Sequence, residues 1–454
     1  MKKTLIMFLA IPCLARGICA QGTRVVAVGD TVRRLSIDSD TAFHAIDLQR
    51  AIQLAQRNAP VAVQARGQIR TATSSVRAAY AALLPGLNLS LGQVNQSGDR
   101  MDPTSGKIVP YQGQNAWSYS TGVTATMRVF DGFHNLNQIK QTKADVNSAE
   151  ANEVAQRFNV ALQVKTQYYA ILAARESEAA AATQLGQAEA QLQAAAARVR
   201  AGAATLSDSL RSVIQVGNAR LALITAQNSL RIASAALTRL VAAPYLVTAE
   251  ASDTLERPFA PIDSLQLLQL ALRGPAVEQA TAQLLSSQAA VQSARSPYLP
   301  TVDLSYSRAG SGFDQLYGLR DPFAYSNQFR ISASYPLFNN YQREDALTRA
   351  HVAEQNADAT LRDARLAAQQ NLVQQLASLS AAEERIQIQQ ASVASAEEDL
   401  RVQQQRYALG ASTLLDLLTS QTTLDQQRAA LIQARQDYRI ARAQIEAIIG
   451  RDLQ

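Results

Sequence analysis

Two stretches of the chain are versions of one another: Arg198–Ser212, RVRAGAATLSDSLRS, and Arg406–Ser420, RYALGASTLLDLLTS. Arg, Gly, Ala, Thr, Leu, Asp, Leu and Ser recur in the same places, and Gly202 and Gly410 lie 208 residues apart (410 − 202). A glycine closing a helix supplies the left-handed residue that stops it. A Thr followed three residues later by Asp is a capping box that starts the next helix. Each stretch therefore predicts the sharp turn of a long helical hairpin, and the pair predicts a duplicated chain.

The tracts on either side agree. From about residue 135 to 201 there is no proline and one glycine, Gly186. Some sixty residues at about 1.5 Å each make a rod on the order of 100 Å. A second such tract runs from about 341 to 409, and shorter helices follow both tips, to Val241 and to Ile449. Pro60 and Pro275 suit the first turns of two further helices that end near Leu83 and Tyr298. In each half the two shorter helices, placed end to end, match the long one in length.

Between the helices the period changes from 3.6 to 2. Leu87, Leu89 and Leu91 alternate with Asn88, Ser90 and Gly92, and Val123, Ala125 and Met127 alternate with Gly122, Thr124 and Thr126. The alternation predicts strands at about 86–96 and 117–130 in the first half, and at about 301–308 and 327–337 in the second. Strands of about ten residues with one apolar face have the length of tilted strands crossing a bilayer. Four strands are too few to close a membrane barrel, and an open edge cannot sit in lipid with its N–H and C=O groups unpaired. Two, three or four copies would give about 8, 12 or 16 strands. The expected order is a signal peptide at 1–20, an irregular lead-in at 21–45, a first repeat at 46–243, a linker at 244–264, a second repeat at 265–450 and a tail at 451–454.

Composition excludes other classes. The net charge of +6 is spread along 454 residues without a basic cluster, so a nucleic-acid surface is not expected. The mean hydropathy of −0.11 excludes a bundle of membrane-spanning helices. Residues 1–20 have the basic start, short apolar core and small-residue end of an export signal. Both cysteines, Cys13 and Cys19, fall inside it, so the mature chain is expected to hold no disulfide. Arg-Gly-Ile before Cys19 fits a lipoprotein signal poorly. His44, His134 and His351 stand in separate contexts, and no nucleophile elbow, zinc-protease or phosphate-loop motif is present. No catalytic residue, metal site or cofactor is expected.

The chain resembles the TolC-like outer-membrane efflux and secretion proteins. The resemblance rests on Leu84-Pro85 and Leu299-Pro300 before the strands, Phe130-Asp131-Gly132 and Leu337-Phe338-Asn339-Asn340 after them, the two R-x-x-x-G-x-x-T-L-x-D-x-L tips, and the helix opening Ile46-Asp47-Leu48-Gln49-Arg50-Ala51-Ile52. It implies a mainly helical homotrimer with a 12-stranded barrel in the outer membrane and a 12-helix periplasmic tunnel. It further implies an exit duct whose tips stay closed until a periplasmic adaptor and an inner-membrane pump of RND, ABC or MFS type engage them. The alternative is a periplasmic coiled-coil adaptor, which would carry one helical hairpin between soluble β domains.

At the tips, the resemblance assigns Asp416 to one of two acidic positions at the constriction, and Thr419 stands at the other. It makes Tyr407 a gate tyrosine, Asp208 its acidic partner, and Ser412 the position of a basic partner. Capping alone also accounts for Asp208 and Asp416. Arg198 and Arg406 lie in the last turns before Gly202 and Gly410, where a cation complements the carbonyl end of a helix. All four also lie where an adaptor would touch the duct.

Overall fold

A computed structural model describes residues 43–95, 99–102, 104–110, 117–202, 204–250, 264–313 and 324–453. The expected signal peptide with both cysteines, nearly all of the lead-in and linker residues 251–263 lie outside the described residues.

Two helices of 67 residues dominate: α3 (His134–Arg200) and α7 (Gln342–Ala408). Each tip is followed by a 36-residue helix, α4 (Leu206–Val241) or α8 (Leu414–Ile449). Before the strands come α1 (Leu48–Asn58) and α2 (Pro60–Ala81) in one half, and α5 (Ser264–Ala271) and α6 (Pro275–Ala294) in the other. Helix α3 packs against α2 and α4, and α7 packs against α6 and α8. Helix α3 also packs against α6 and α8, so the first long helix joins the two repeats.

The apolar residues explain the pairing. In α7, Leu372, Leu379, Ile386, Val393, Leu400 and Tyr407 recur every seven residues, and all are buried or half-buried. In α8 the series is Leu417, Leu424, Leu431, Tyr438 and Ile445. Seven residues per two turns is the period of helices that coil around one another. The first hairpin uses smaller residues at the same interval: Ala181, Ala188 and Ala195 in α3, Ser212 and Ala219 in α4. Tyr407 is thus the last member of a packing seam as well as a tip residue.

Strands β2 (Gly86–Asn95), β5 (Trp117–Phe130), β7 (Thr301–Phe313) and β8 (Ala324–Ser334) form one antiparallel sheet in the order β2-β5-β7-β8. Two of these strands differ from their expected bounds. Strand β7 runs to Phe313 rather than 308, because Ala309-Gly310-Ser311-Gly312 continues the ladder opposite β5 while carrying no polar–apolar contrast. Strand β8 occupies 324–334 rather than 327–337. It stops before Pro336, which lacks an N–H for the ladder, and Thr301, its last partner, follows Pro300.

The short strands β1 (His44–Ile46) and β6 (Val247–Ala249) form a parallel pair where irregular lead-in and linker were expected. Three residues are too few to show a period. Tyr168, fully buried on α3, braces the pair: its hydroxyl donates to Ile46 O (3.3 Å) and accepts from Glu250 N (3.1 Å). Between β2 and β5 lies a small hairpin, β3 (Asp99–Met101) and β4 (Ile108–Pro110), within what reads in sequence as a polar loop.

The turn from sheet to long helix is built the same way twice. Gly132 and Phe133 have φ of 65° and 66°, and Asn340 and Tyr341 have 55° and 60°. Two successive left-handed residues redirect the chain. A Cβ on Gly132 would stand 2.5 Å from Ser296 O, so glycine is required there. The Asp131 carboxylate then accepts from Asn135 N (2.8 Å) and caps α3.

Candidate functional site

At the tips, Gly202 and Gly410 take φ of 70° and 75°. Both capping boxes form. Asp208 Oδ2 accepts from Thr205 N (3.2 Å) and Thr205 Oγ1 (2.7 Å), while Asp208 N donates to Thr205 Oγ1 (3.3 Å). In the second tip, Asp416 Oδ2 accepts from Thr413 N (2.9 Å) and Thr413 Oγ1 (2.8 Å), and Asp416 N donates to Thr413 Oγ1 (3.2 Å). The Thr205 hydroxyl and then its amide hold Asp208 below the ordinary aspartate value of 3.8. The Thr413 amide and then its hydroxyl do the same for Asp416. Both carboxylates are therefore ionised at neutral pH, and Oδ1 of each lies outside its box.

Arg198 does more than close its own helix. Its Nη2 donates to Tyr407 O (3.0 Å) and Ala408 O (2.8 Å), the terminal carbonyls of α7. Its guanidinium carbon stands 4.6 Å from the centre of the Tyr407 ring. One side chain from the first tip thus caps the second and covers its tyrosine. Arg406, at the equivalent place, hydrogen-bonds only Ala411 O in its own turn (3.5 Å) among the described residues. Asp208 and Tyr407 share no hydrogen bond within the chain among the described residues. Thr419 Oγ1 donates to Leu415 O (2.9 Å), and Ser412 Oγ is buried without a partner among the described residues.

The second feature is the sheet. Directly paired residues share a face, so Leu89, Val123 and Arg308 lie on one side, and Ser90, Gly122 and Ala309 on the other. One face carries Leu87 (78 % exposed), Leu89 (65 %), Leu91 (62 %), Phe329 (64 %) and Ile331 (67 %). An uncovered apolar face of this kind marks a contact with lipid or protein. The other face holds a hollow of about 410 Å³ beside Ser90, Ser120, Thr124, Ser307 and Ser326. Arg128 and Asp303 pair on the same face, nearer the helices, at 2.9 Å. Strands β2 and β8 have no neighbour on their outer sides among the described residues.

A third arrangement escapes sequence reading. Lys165, buried on α3, donates to Glu446 Oε2 on α8 (2.6 Å) and to Asp452 Oδ1 in the tail (2.7 Å). Burial opposes the lysine's charge, but the bonds to Asp452 and Glu446 outweigh it and hold Lys165 above its usual range. Glu446 Oε1 accepts from Leu453 N (3.1 Å), and Arg442 binds Leu453 O. The knot ties the first repeat to the end of the second.

Known proteins share this fold. The family model described as outer membrane efflux protein matches residues 51–243 and 267–451. The chain belongs to the outer membrane efflux protein family. The pyoverdine export outer membrane protein OpmQ of Pseudomonas aeruginosa is 27% identical over 404 residues, covering 87% of this chain and 83% of its own. Protein CyaE of Bordetella pertussis is 29% identical over 395 residues, covering 83% of this chain and 78% of its own. The crystal structure of the Campylobacter jejuni outer membrane channel CmeC superposes with a TM-score of 0.76 at 15% identity, covering 89% of this chain and 85% of that one. The efflux family member described here is thus an outer-membrane protein. The one-hairpin arrangement expected of a periplasmic adaptor is excluded by the two repeats.

Proposed function

We propose that three copies of this chain form an outer-membrane exit duct, β2 of each copy pairing with β8 of the next. The open strand edges on either side of an exposed apolar face carry this reading. A lipid-facing sheet must satisfy every edge N–H and C=O, and only closure does so. In the closed ring the hydroxyl-rich hollow lines the pore, the apolar face meets lipid, and α3, α4, α7 and α8 continue the passage for on the order of 100 Å. The duct is passive. A periplasmic adaptor and an inner-membrane pump deliver cargo to the tips, and selection of cargo rests with the pump.

The tips gate the duct in this reading. Asp416, and with it Asp208, places negative charge near the mouth and favours cations there. The Arg198 clasp holds the second tip against the first, and release of Tyr407 opens it. Ser412 and Thr419 stand with Tyr407 at the gate, and Arg198, Arg406 and the turns at Gly202 and Gly410 form the surface that an adaptor meets. Purified protein in planar bilayers tests the duct: outer-membrane oligomers that conduct ions support it, and a soluble periplasmic monomer without conductance contradicts it.

A further inference from the structure

Arg308 is the one charged residue on the apolar face of the four-stranded sheet among the described residues. Arg128, Asp303 and Arg330 lie on the polar face, as their pairing partners Ser305 and Ser332 show. A guanidinium facing hydrocarbon is costly at mid-bilayer and nearly free at the interface, so its depth decides what it does.

The sheet marks that depth. The uppermost aliphatic or aromatic residue before the apolar face turns polar is Leu91 on β2 and Val123 on β5, followed by Gln93 and Thr121. On β7 and β8 it is Tyr306 and Phe329, followed by Arg308 and Asn327. Leu91 is in register, through Thr121 and Gly310, with Tyr325, and Phe329 is in register, through Tyr306 and Ala125, with Leu87. The boundary therefore falls by four residues across three strand spacings. At about 3.3 Å per residue and about 4.8 Å per spacing, the slope is roughly 40°, within the 35–45° tilt of strands in membrane barrels. The slanted line is the membrane surface seen against tilted strands. It lies toward the ends away from the helices, and Arg308 sits on it.

The side chains agree. The Arg308 guanidinium stands 5.1 Å from the ring centre of Tyr325, which pairs with Gly310, two rows beyond Arg308. The arginine thus reaches away from the apolar rows, and Gly310 beneath is buried. Tyr306 Oη donates to Asn327 Oδ1 (3.4 Å) beside it. Tyrosines and arginine at this level form an interfacial belt.

We infer that Arg308, backed by Tyr306, Tyr325 and Asn327, binds the phosphate of an anionic lipid headgroup in the outer leaflet. The acyl chains lie on Leu89, Val123 and Phe329 below. A lipid is the source rather than free phosphate, because the cation borders an apolar face that only acyl chains cover. The inference rests on the duct reading.

The test is native mass spectrometry of the purified oligomer with phosphatidylglycerol added, against the same measurement with inorganic phosphate competing. Arg308→Gln is expected to lower lipid retention by about fivefold per chain, the factor one basic side chain contributes at an anionic surface. Arg330→Gln, on the pore face, is expected to leave retention unchanged. Equal retention in Arg308→Gln and wild type, an equal loss in both variants, or displacement by inorganic phosphate overturns the lipid site while leaving the duct intact. A wild-type protein that forms no oligomer overturns both.

Discussion

Asp416 caps α8, and in the proposed duct the same carboxylate also draws cations; the two tasks can be separated. Asn keeps an oxygen to accept from Thr413 N but removes the charge. Asp416→Asn is therefore expected to lower cation preference in reversal-potential measurements while the oligomer's melting temperature is nearly kept. Thr413→Ala is expected to do the reverse, costing about 1 kcal/mol for a lost cap with selectivity unchanged. The acid dependence has a definite sign. A carboxylate held below 3.8 contributes above its unfolded value and loses that contribution as pH falls through the folded one. Cation preference should stay flat from neutral pH down to about pH 4 and decline only below that. Arg198 makes the sharper prediction for gating. Its two bonds to α7 carbonyls and its contact with the Tyr407 ring stand at about 1–2 kcal/mol, or roughly 5–30-fold in the closed-to-open ratio. Arg198→Ala should raise resting conductance accordingly, and Arg406→Ala, which bonds only its own turn, should not.

At the scale of elements, the Lys165 knot sets how firmly the repeats hold together. Lys165→Met leaves the buried Glu446 with only Arg442 as an ionic partner, at 3.5 Å, and breaking a buried pair costs up to about 3–5 kcal/mol. Chemical denaturation should show that loss, and the double variant Lys165→Met with Glu446→Leu should recover part of it. Neither the knot nor the Arg198 clasp was legible in the sequence, because the partners lie 281 and 209 residues apart and no local pattern joins them. What was legible was local. Thr205, Asp208, Thr413 and Asp416 announce their helix starts within four residues, and Pro60 and Pro275 announce theirs. The alternation in β7 extends only as far as Arg308, because Ala309, Gly310, Ser311 and Gly312 carry no polar–apolar contrast. The seven-residue series ending at Tyr407 explains why that residue reads equally as packing and as gate: it is the last rung of the α7 seam.

For the whole molecule, the sequence carried the two repeats, the hairpins and the four strands, since each rests on a period or a repeat. It did not carry the way α3 bridges α6 and α8, which depends on the packing of distant helices. The central claim is that the sheet's two edges meet between copies. With strands sloping at roughly 40°, the register shifts by about five residues from one copy to the next, which sets Ser90 on β2 beside Ser332 on β8 of the neighbouring copy, both on the polar face. A chain carrying Ser90→Cys and Ser332→Cys, treated in outer membranes with a flexible bis-maleimide, tests that claim directly. The account predicts linked species that stop at three chains, with neither single variant linking. Chains that stay single, or a ladder running beyond three, would contradict it.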